Sequence, residues 1–345
     1  MIDRLIKISL WLTCCLCLPV AKGQVIPQYS MYLINGSWLN PAYTGYREYV
    51  YVNALYHRQW WQANTPGFFA LSLDGSVSDK VNLGFLLTGE SMGFASLTSA
   101  SASYAYRMQL SETSDLSFGL SLGAMYCSVN KSETKAVSPE DPTILDLAGK
   151  VIPNMSVGVY YGSEAFYGGI SLRNMSGRSR SELADFLIAP PTRNIAVTFG
   201  TFIPINPHIF FRPSLMWQDD FDATSHVDVT LAAIFMDKFW LGISARTDQP
   251  FGRAPAGEVG NAYYSAAILG EIFITDRITV SYAYDMGLNS FSSAFFGGNQ
   301  ISVGYYLTQY KNTPYRYKYR FKSHYKSDIC PNCITRDRPS RQRLR

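Results

Sequence analysis

The chain of 345 residues has little charge for its length. Charged residues make up 16% of it, against about 25% in an ordinary soluble domain. It also lacks long apolar runs after Gly23, which excludes a bundle of transmembrane helices because each would need about 20 consecutive apolar residues. Aromatic residues are plentiful at 14%, and their abundance excludes a disordered or collagen-like chain.

The charge that is present is unevenly placed. The net charge of +4 is too small to indicate a nucleic-acid partner, and residues 311–345 hold eleven Lys and Arg against two Asp. Residues 1–23 add +2, which leaves −7 on residues 24–310. A mildly acidic body therefore precedes a basic C-terminal extension.

The N-terminus has the pattern of a secretory signal peptide. Arg4 and Lys7 precede a short apolar run over 8–21, and Ala21-Lys22-Gly23 places small residues before a cleavage site at Gln24. This pattern predicts a signal peptide at 1–23, since the run is too short for an ordinary membrane span. Three cysteines leave with it, and Cys127, Cys330 and Cys333 remain.

Apolar residues alternate with small or polar ones through most of the chain after residue 48. In residues 116–124 every even position is apolar and every odd position is Ser or Gly. This period of two predicts β-strands. Fourteen such segments lie near 49–59, 67–75, 81–88, 96–107, 114–130, 151–161, 165–173, 193–203, 208–218, 226–236, 238–247, 262–274, 278–287 and 299–310.

The connections between these segments differ in length. Those after even-numbered segments are short, whereas those after odd-numbered ones are mostly longer, the longest being 131–150, 174–192 and 248–261. Short periplasmic turns and long extracellular loops are typical of a transmembrane outer-membrane β-barrel. We therefore predict an all-β barrel of about 14 antiparallel strands at 49–310, in the cell outer membrane and in contact with lipid. A soluble β-domain is the alternative, but the non-apolar face is mostly Ser, Gly, Thr and Asn rather than charged.

Residues 28–45 carry a recognisable signature. The stretch Gln28-Tyr-Ser-Met-Tyr-Leu-Ile-Asn-Gly-Ser-Trp-Leu-Asn-Pro-Ala-Tyr-Thr-Gly45 resembles the N-terminal signature of the PorP/SprF family of type IX secretion system membrane proteins. Further blocks match in order, including His57-Arg-Gln-Trp60 and Tyr282-Ala-Tyr-Asp285. Two features depart from the family: Asn299-Gln300 stands where a His-Glu pair is usual, and 35 residues follow the last strand.

The resemblance implies a role in type IX secretion and, in gliding relatives, in placing adhesins on the cell surface. The expected partners are periplasmic secretion-ring proteins and secreted cargo proteins or adhesins, with no nucleic acid and no cofactor. Residues 24–48 form a segment that could plug the lumen or bind a periplasmic partner. The predicted partner-binding residues within it are Tyr29, Tyr32, Asn35, Asn40, Pro41 and Tyr43.

Two other functions stay open at this point. The barrel could be a channel for small or hydrophobic solutes, lined by Arg and Asp side chains. A barrel hydrolase would need a Ser–His pair on the lipid face, and the sequence has no metal-binding His-Glu-x-x-His motif. We therefore expect no enzymatic activity.

The basic extension at 311–345 has two interpretations. Residues 315–322 alternate aromatic and basic side chains, which fits either an added strand or an unstructured tail. Cys330 and Cys333 form a C-x-x-C pair that in the periplasm could close a disulfide or supply half of a metal site. The Arg-rich end would attract acidic protein surfaces or lipopolysaccharide phosphates.

Overall fold

The computed structural model describes residues 30–47, 50–59, 67–92, 95–111, 113–129, 149–163, 165–177, 193–206, 208–220, 225–235, 238–248, 263–275, 277–288 and 297–307. Three short 3-10 helices (Ser30–Leu33, Gly36–Trp38 and Pro41–Tyr43) precede the strands. The strands are β1 (Tyr51–Gln59), β2 (Gly67–Ser76), β3 (Val81–Met92), β4 (Ala95–Gln109), β5 (Asp115–Val129), β6 (Lys150–Gly162), β7 (Phe166–Arg173), β8 (Asn194–Thr201), β9 (Ile203–Asn206), β10 (Ile209–Asp219), β11 (Ser225–Phe235), β12 (Phe239–Asp248), β13 (Tyr263–Phe273), β14 (Ile278–Gly287) and β15 (Gly297–Tyr306).

These strands form one closed antiparallel barrel. β1 pairs with both β2 and β15, and β10 pairs with β11, so the ring has no gap. β8 and β9 are one wall strand interrupted at Phe202, because they pair with successive parts of β10. The wall therefore contains fourteen strands, as the alternation predicts, and each observed strand lies within a few residues of its predicted segment.

The alternation separates an outer face from a lumenal face. On β2 the side chains of Phe68, Ala70 and Ser72 are buried, whereas Phe69 and Leu71 are exposed. On the other strands, too, exposed apolar side chains recur at alternate positions. An apolar outer belt on a closed barrel, in which every wall strand is paired on both sides, is what a lipid bilayer requires, so the fold is that of an outer-membrane β-barrel.

The two ends of the barrel differ. One end, here called the short-turn end, carries the tight turns after β2, β4, β6, β9, β11 and β13, together with Val50 and Leu307. The opposite, long-loop end carries the connections after β5, β7 and β12. Most of these long loops lie outside the described residues. No helix in the described part of the chain is both long and apolar enough to cross a membrane.

Charged side chains are sorted between the two faces. Arg107, Arg212 and Arg246 are buried towards the lumen, which fits the suggestion that arginines line it. Arg58 lies on the outer face instead, because it occupies the next alternate position on β1 after the exposed Ala54 and Tyr56. Its position in the alternation, rather than its charge, decides the face on which it lies.

Candidate functional site

Residues 30–47, here called the plug, lie inside the barrel lumen. All of them except Gly36, Ser37 and Arg47 are buried. The first 3-10 helix contacts β13 and β14, and the third contacts β4, β5 and β6. The plug therefore bridges opposite sides of the barrel and belongs to its interior.

Two asparagines shape the plug locally. The Asn35 side chain accepts a hydrogen bond from the Ser37 N–H at 3.2 Å, and the Asn40 side chain accepts one from the Ala42 N–H at 2.9 Å. Such side-chain caps satisfy N–H groups that the start of a helical turn leaves without partners. Pro41 follows Asn40 at the first helical position, where its fixed φ is compatible with the turn. The Asn-Pro-Ala-Tyr motif thus encodes a tight turn.

The start of the plug is tied to the wall near the long-loop end. Ser30 donates a hydrogen bond to Asp285 and accepts one from Arg246 at 3.0 Å. Arg246 also forms a buried ion pair with Asp228, with Nη2 and Oδ2 2.7 Å apart. Ser244 and Thr230 donate to the other oxygen of Asp228, Oδ1, at 2.7 and 2.8 Å. The two charges are therefore compensated and hydrogen-bonded, which a buried ion pair needs.

Tyr32 and Asn35 continue this attachment. The Tyr32 hydroxyl lies 3.4 Å from Asp228 and 3.3 Å from the Thr230 hydroxyl. Burial raises the pKa of the Tyr32 phenol well above its ordinary value, and the Asp228 charge raises it further, so the phenol stays protonated and donates. On the other side of the lumen the Asn35 amide donates to the Ser72 hydroxyl at 2.6 Å.

Asn40 binds the wall at the β6–β7 pair. Its amide donates to the carbonyl oxygens of Val159 at 2.9 Å and Ile170 at 3.3 Å, two residues that face each other across the pair. A Cβ at Gly158 would lie 2.1 Å from the Asn40 side-chain oxygen. The absence of a side chain at Gly158 therefore makes room for this contact.

A second glycine receives the Pro41–Ala42 backbone. A Cβ at Gly119 on β5 would lie 2.1 Å from the Ala42 nitrogen and 2.3 Å from the Pro41 carbonyl carbon. Any side chain at this position would overlap the plug backbone, so the plug can sit against β5 only where the wall has glycine.

Tyr43 begins an aromatic cluster in the lumen. Its ring stacks on Tyr46 with centroids 4.8 Å apart and meets Tyr160 edge-on at 5.3 Å. Tyr160 in turn approaches Tyr167, whose hydroxyl accepts a hydrogen bond from Arg212 at 2.9 Å. Burial raises the pKa of the Tyr43 phenol. Stacked and edge-on aromatic pairs of this kind each contribute about 0.5–1.5 kcal/mol beyond the burial of their surface.

The end of the plug is fixed at the short-turn end. The Gly45 N–H donates to Asp74 at 2.9 Å, and its carbonyl accepts from Arg107 at 2.6 Å. Gly45 has a φ of +67°, a conformation that glycine adopts without strain. Arg47 donates to the Tyr306 hydroxyl and to the Ile34 carbonyl, and its guanidinium lies 4.2 Å from the centre of the Tyr51 ring. This cation–π contact ties the plug to the first strand.

These attachments give the plug a direction. Arg246 and Asp285, which hold Ser30, lie two residues from the long-loop ends of β12 and β14. Asp74, which holds Gly45, lies two residues from the short-turn end of β2. The chain therefore runs down the lumen from the long-loop end to the short-turn end before β1 begins.

The sequence-predicted partner-binding residues converge in the plug. Tyr32, Asn35, Asn40, Pro41 and Tyr43 all lie within it and contact the barrel wall or one another. Tyr29 lies outside the described residues, as do Cys330 and Cys333 and the whole basic extension. Partner binding by these residues stays a prediction.

Several residues that hold the plug have no signal in the N-terminal signature. The alternation on β14 places Asp285 on the lumenal face, where it is buried, but nothing in the sequence connects it with Ser30. Gln300 donates to Asp285 at 2.6 Å, so the residue that departs from the family pattern supports the same anchor. An amide beside a carboxylate avoids the repulsion that a second carboxylate would bring. Gly119 could not be singled out, because the wall strands contain many glycines.

Two wall histidines lie on the lumenal side of the barrel. His57 lies on the lumenal face of β1, like Leu55 two residues before it, and His226 is buried towards the lumen on β11. Neither faces lipid, where a barrel hydrolase would need its Ser–His pair. No group of three or more His, Cys, Asp or Glu side chains among the described residues could hold a metal ion.

Solved structures with a similar arrangement are outer-membrane proteins and channels of low sequence identity. The CymD monoaromatic hydrocarbon channel is 12% identical, with 82% of this chain and 93% of that chain covered and a TM-score of 0.48. The TodX deltaS2S3 mutant monoaromatic hydrocarbon channel is 11% identical, with 81% and 94% covered and a TM-score of 0.47. The Acinetobacter baumannii outer membrane protein Omp33 is 8% identical, with 75% and 98% covered and a TM-score of 0.42.

No curated protein matches the sequence. A family model does. The model for type IX secretion system membrane protein PorP/SprF matches residues 21–305, from before the plug to the last strand. The chain therefore belongs to the PorP/SprF family of type IX secretion system membrane proteins.

Proposed function

We propose that this protein is a docking component of the type IX secretion system. The long-loop end receives or anchors secreted cargo or adhesins at the cell surface, and the short-turn end contacts the periplasmic secretion ring. This division follows from the general orientation of outer-membrane barrels, in which short turns face the periplasm and longer loops face the outside.

The observation that carries this proposal is the plug inside the lumen. The plug bridges opposite walls through the Arg246–Asp228 ion pair with Ser30, the Asn40 amide and the Tyr43 cluster. A solute channel would need these buried contacts to break each time it opened. A barrel that offers its two ends to protein partners needs no such opening.

The signature residues contribute to docking through the plug. Tyr32, Asn35 and Asn40 direct their hydrogen-bonding groups to the wall and the plug itself. We infer that they fix the shape of the lumenal surface that partners meet at each end. The short turns and the basic extension make the direct contact with the secretion ring. The positive charge of the extension suits an acidic protein surface.

Gene deletion tests the proposal at the level of the cell. Cells without the gene should lose surface display of a cognate secreted protein, detected by antibody on intact cells, and the gene in trans should restore it. Purification of the tagged full chain in mild detergent should recover both a secreted protein and a periplasmic secretion component. Normal display in the deletion strain would contradict the docking role.

A further inference from the structure

The Asn40 side chain of the plug holds two neighbouring wall strands at once. Its amide nitrogen donates to the Val159 carbonyl at 2.9 Å and to the Ile170 carbonyl at 3.3 Å. Val159 belongs to β6 and Ile170 to β7, and the two residues face each other across the pair. The amide group carries two hydrogens, one for each carbonyl. One plug side chain therefore staples β6 to β7 from the lumenal side.

The pairing of β6 with β7, here called the seam, is the shortest in the described wall when β8 and β9 are taken as one wall strand. Residues 157–162 face residues 167–172, which is six residues of each strand. By contrast, β4 and β5 face each other over the fifteen residues of Ala95–Gln109. Because backbone hydrogen bonds and cross-strand side-chain pairs accumulate along a pairing, the seam resists separation less than its longer neighbours.

Glycines weaken the seam further. Four of its six facing pairs contain one: Gly158 faces Ser171, and Gly162, Gly168 and Gly169 each face a tyrosine. A glycine offers no side chain for a cross-strand pair, and it weakens the interior of a strand. The short length and the composition of the seam therefore act in the same direction.

Two of these glycines also make room for the staple. A Cβ at Gly158 would lie 2.1 Å from the Asn40 side-chain oxygen, and a Cβ at Gly169 would lie 2.7 Å from its amide nitrogen. Beside them, the Ser171 hydroxyl of β7 donates to the Leu39 carbonyl of the plug at 2.6 Å. The glycines that weaken the wall here are thus the ones that admit Asn40, so the strength of the seam depends on the plug.

We propose that the barrel wall opens sideways at the seam and that Asn40 keeps it closed while the plug is in place. When Asn40 withdraws, β6 and β7 lose the one side chain that binds both of them, and their separation turns the lumenal rings of Tyr160 and Tyr167 towards the bilayer. Displacement of the plug from either end therefore opens the wall at one defined place. This device does not rest on the docking function, because it concerns the wall rather than the two ends.

Hydrogen–deuterium exchange of the full chain in lipid nanodiscs tests the staple. Asn40→Ala should speed exchange of the backbone amides at 157–162 and 167–172 by about tenfold, which is roughly the factor that the net free energy of one hydrogen bond represents. Asn35→Ala is the matched control, because Asn35 also caps a turn of the plug but donates to Ser72 on β2. It should leave the seam at the wild-type rate. Equal acceleration of the seam in both variants, or none in Asn40→Ala, would overturn the proposal.

A second variant covers the case in which Asn40→Ala does not fold. Asn40→Asp keeps a side-chain oxygen for the Ala42 N–H and removes the donor, so it should accelerate exchange at the same residues. Wild-type exchange in the seam of a folded Asn40→Asp chain would contradict the staple.

A cross-strand disulfide locates the opening. Val159→Cys and Ile170→Cys replace facing residues, whose Cβ atoms lie within the reach of a disulfide. In an Asn40→Ala chain whose own cysteines are replaced by serine, oxidation of this pair should restore slow exchange in the seam. Fast exchange in the oxidised chain would place the opening elsewhere in the wall and overturn the assignment.

A lipid with a diazirine on its acyl chain distinguishes sideways opening from local loosening. In the wild-type barrel this lipid should attach to outward residues such as Ile170, which is exposed, and not to Tyr160 or Tyr167, which are buried. In Asn40→Ala it should also attach to the two tyrosines. Faster exchange in Asn40→Ala without lipid attachment to either tyrosine would contradict a sideways opening.

Discussion

Ser30 donates a hydrogen bond to Asp285, 255 residues away in the chain, and this bond fixes the start of the plug to the last part of the barrel wall. Arg246 reaches the same serine and is held by Asp228. The start of the plug thus depends on β11, β12 and β14, so the plug can reach its final position only when the C-terminal half of the barrel has formed.

Loss of Arg246 should destabilise the folded barrel. Arg246→Met leaves the Asp228 carboxylate buried with no countercharge, and breaking a buried pair in this way costs about 3–5 kcal/mol. The temperature at which the detergent-solubilised barrel unfolds, followed by its gel mobility after heating, should fall. Lys80→Met in the exposed turn after β2 is the control, because surface charge changes cost little. Equal midpoints for Arg246→Met and wild type would contradict the anchor.

Asn40 and Asn35 should respond differently to the same substitution. Asn40→Asp places carboxylate oxygens against the carbonyls of Val159 and Ile170, neither of which can donate a hydrogen bond. Asn35→Asp faces the Ser72 hydroxyl, which can rotate and donate. We expect Asn40→Asp to lower the free energy of unfolding by about 1–3 kcal/mol more than Asn35→Asp, because an unsatisfied buried group costs that much. Equal losses in chemical denaturation would argue against the assigned contacts.

Gly119→Ala should dislodge the plug while the barrel stays folded. The added Cβ would lie 2.1 Å from the Ala42 nitrogen, so the plug backbone has to move. An Ala42→Cys thiol can be placed in a chain whose Cys127, Cys330 and Cys333 are replaced by serine. This thiol should be protected from maleimide when Gly119 is present and labelled when Gly119→Ala is added. Gly67→Ala is the matched control, since its Cβ meets only the flexible Ser91 hydroxyl at 3.3 Å. Protection of the Ala42→Cys thiol in both backgrounds would show that the plug does not lie against β5.

The direction of the plug predicts an unusual topology for the residues just before it. Ser30 is held near the long-loop end, so a Gln28→Cys variant should react with impermeant maleimide on intact cells. A Ser78→Cys variant, with its thiol in the short turn after β2, should react only after the outer membrane is permeabilised. Labelling of Gln28→Cys only in permeabilised cells would mean that the plug enters from the periplasmic end.

The barrel could be predicted from the sequence because its signal is local. In β14, and in β2 as far as Asp74, each buried lumenal residue alternates with a more exposed one, and this alternation alone defines the strand and its two faces. Tyr282, Tyr284 and Asp285 illustrate this, since two exposed aromatics and one buried carboxylate lie where the pattern predicts them.

The path of the plug could not be predicted in the same way. Asn40 and Pro41 predict a tight turn. The groups that this turn contacts are backbone carbonyls of β6 and β7 and the backbone of Gly119, which has no side chain. The two carbonyls that Asn40 binds lie 119 and 130 residues further along the chain, and no residue type marks them. The sequence likewise does not predict β9, because Pro204 and Pro207 indicate a turn after residue 203, whereas Ile203–Asn206 pairs with the start of β10.

Ionic conductance in planar lipid bilayers tests most directly the claim that the plug closes this barrel and makes it a docking protein. The purified full chain should give no steady conductance, and a variant that lacks residues 30–44 but still folds should conduct. A steady conductance in the full chain that is unchanged by removing those residues would contradict the account and favour a solute channel.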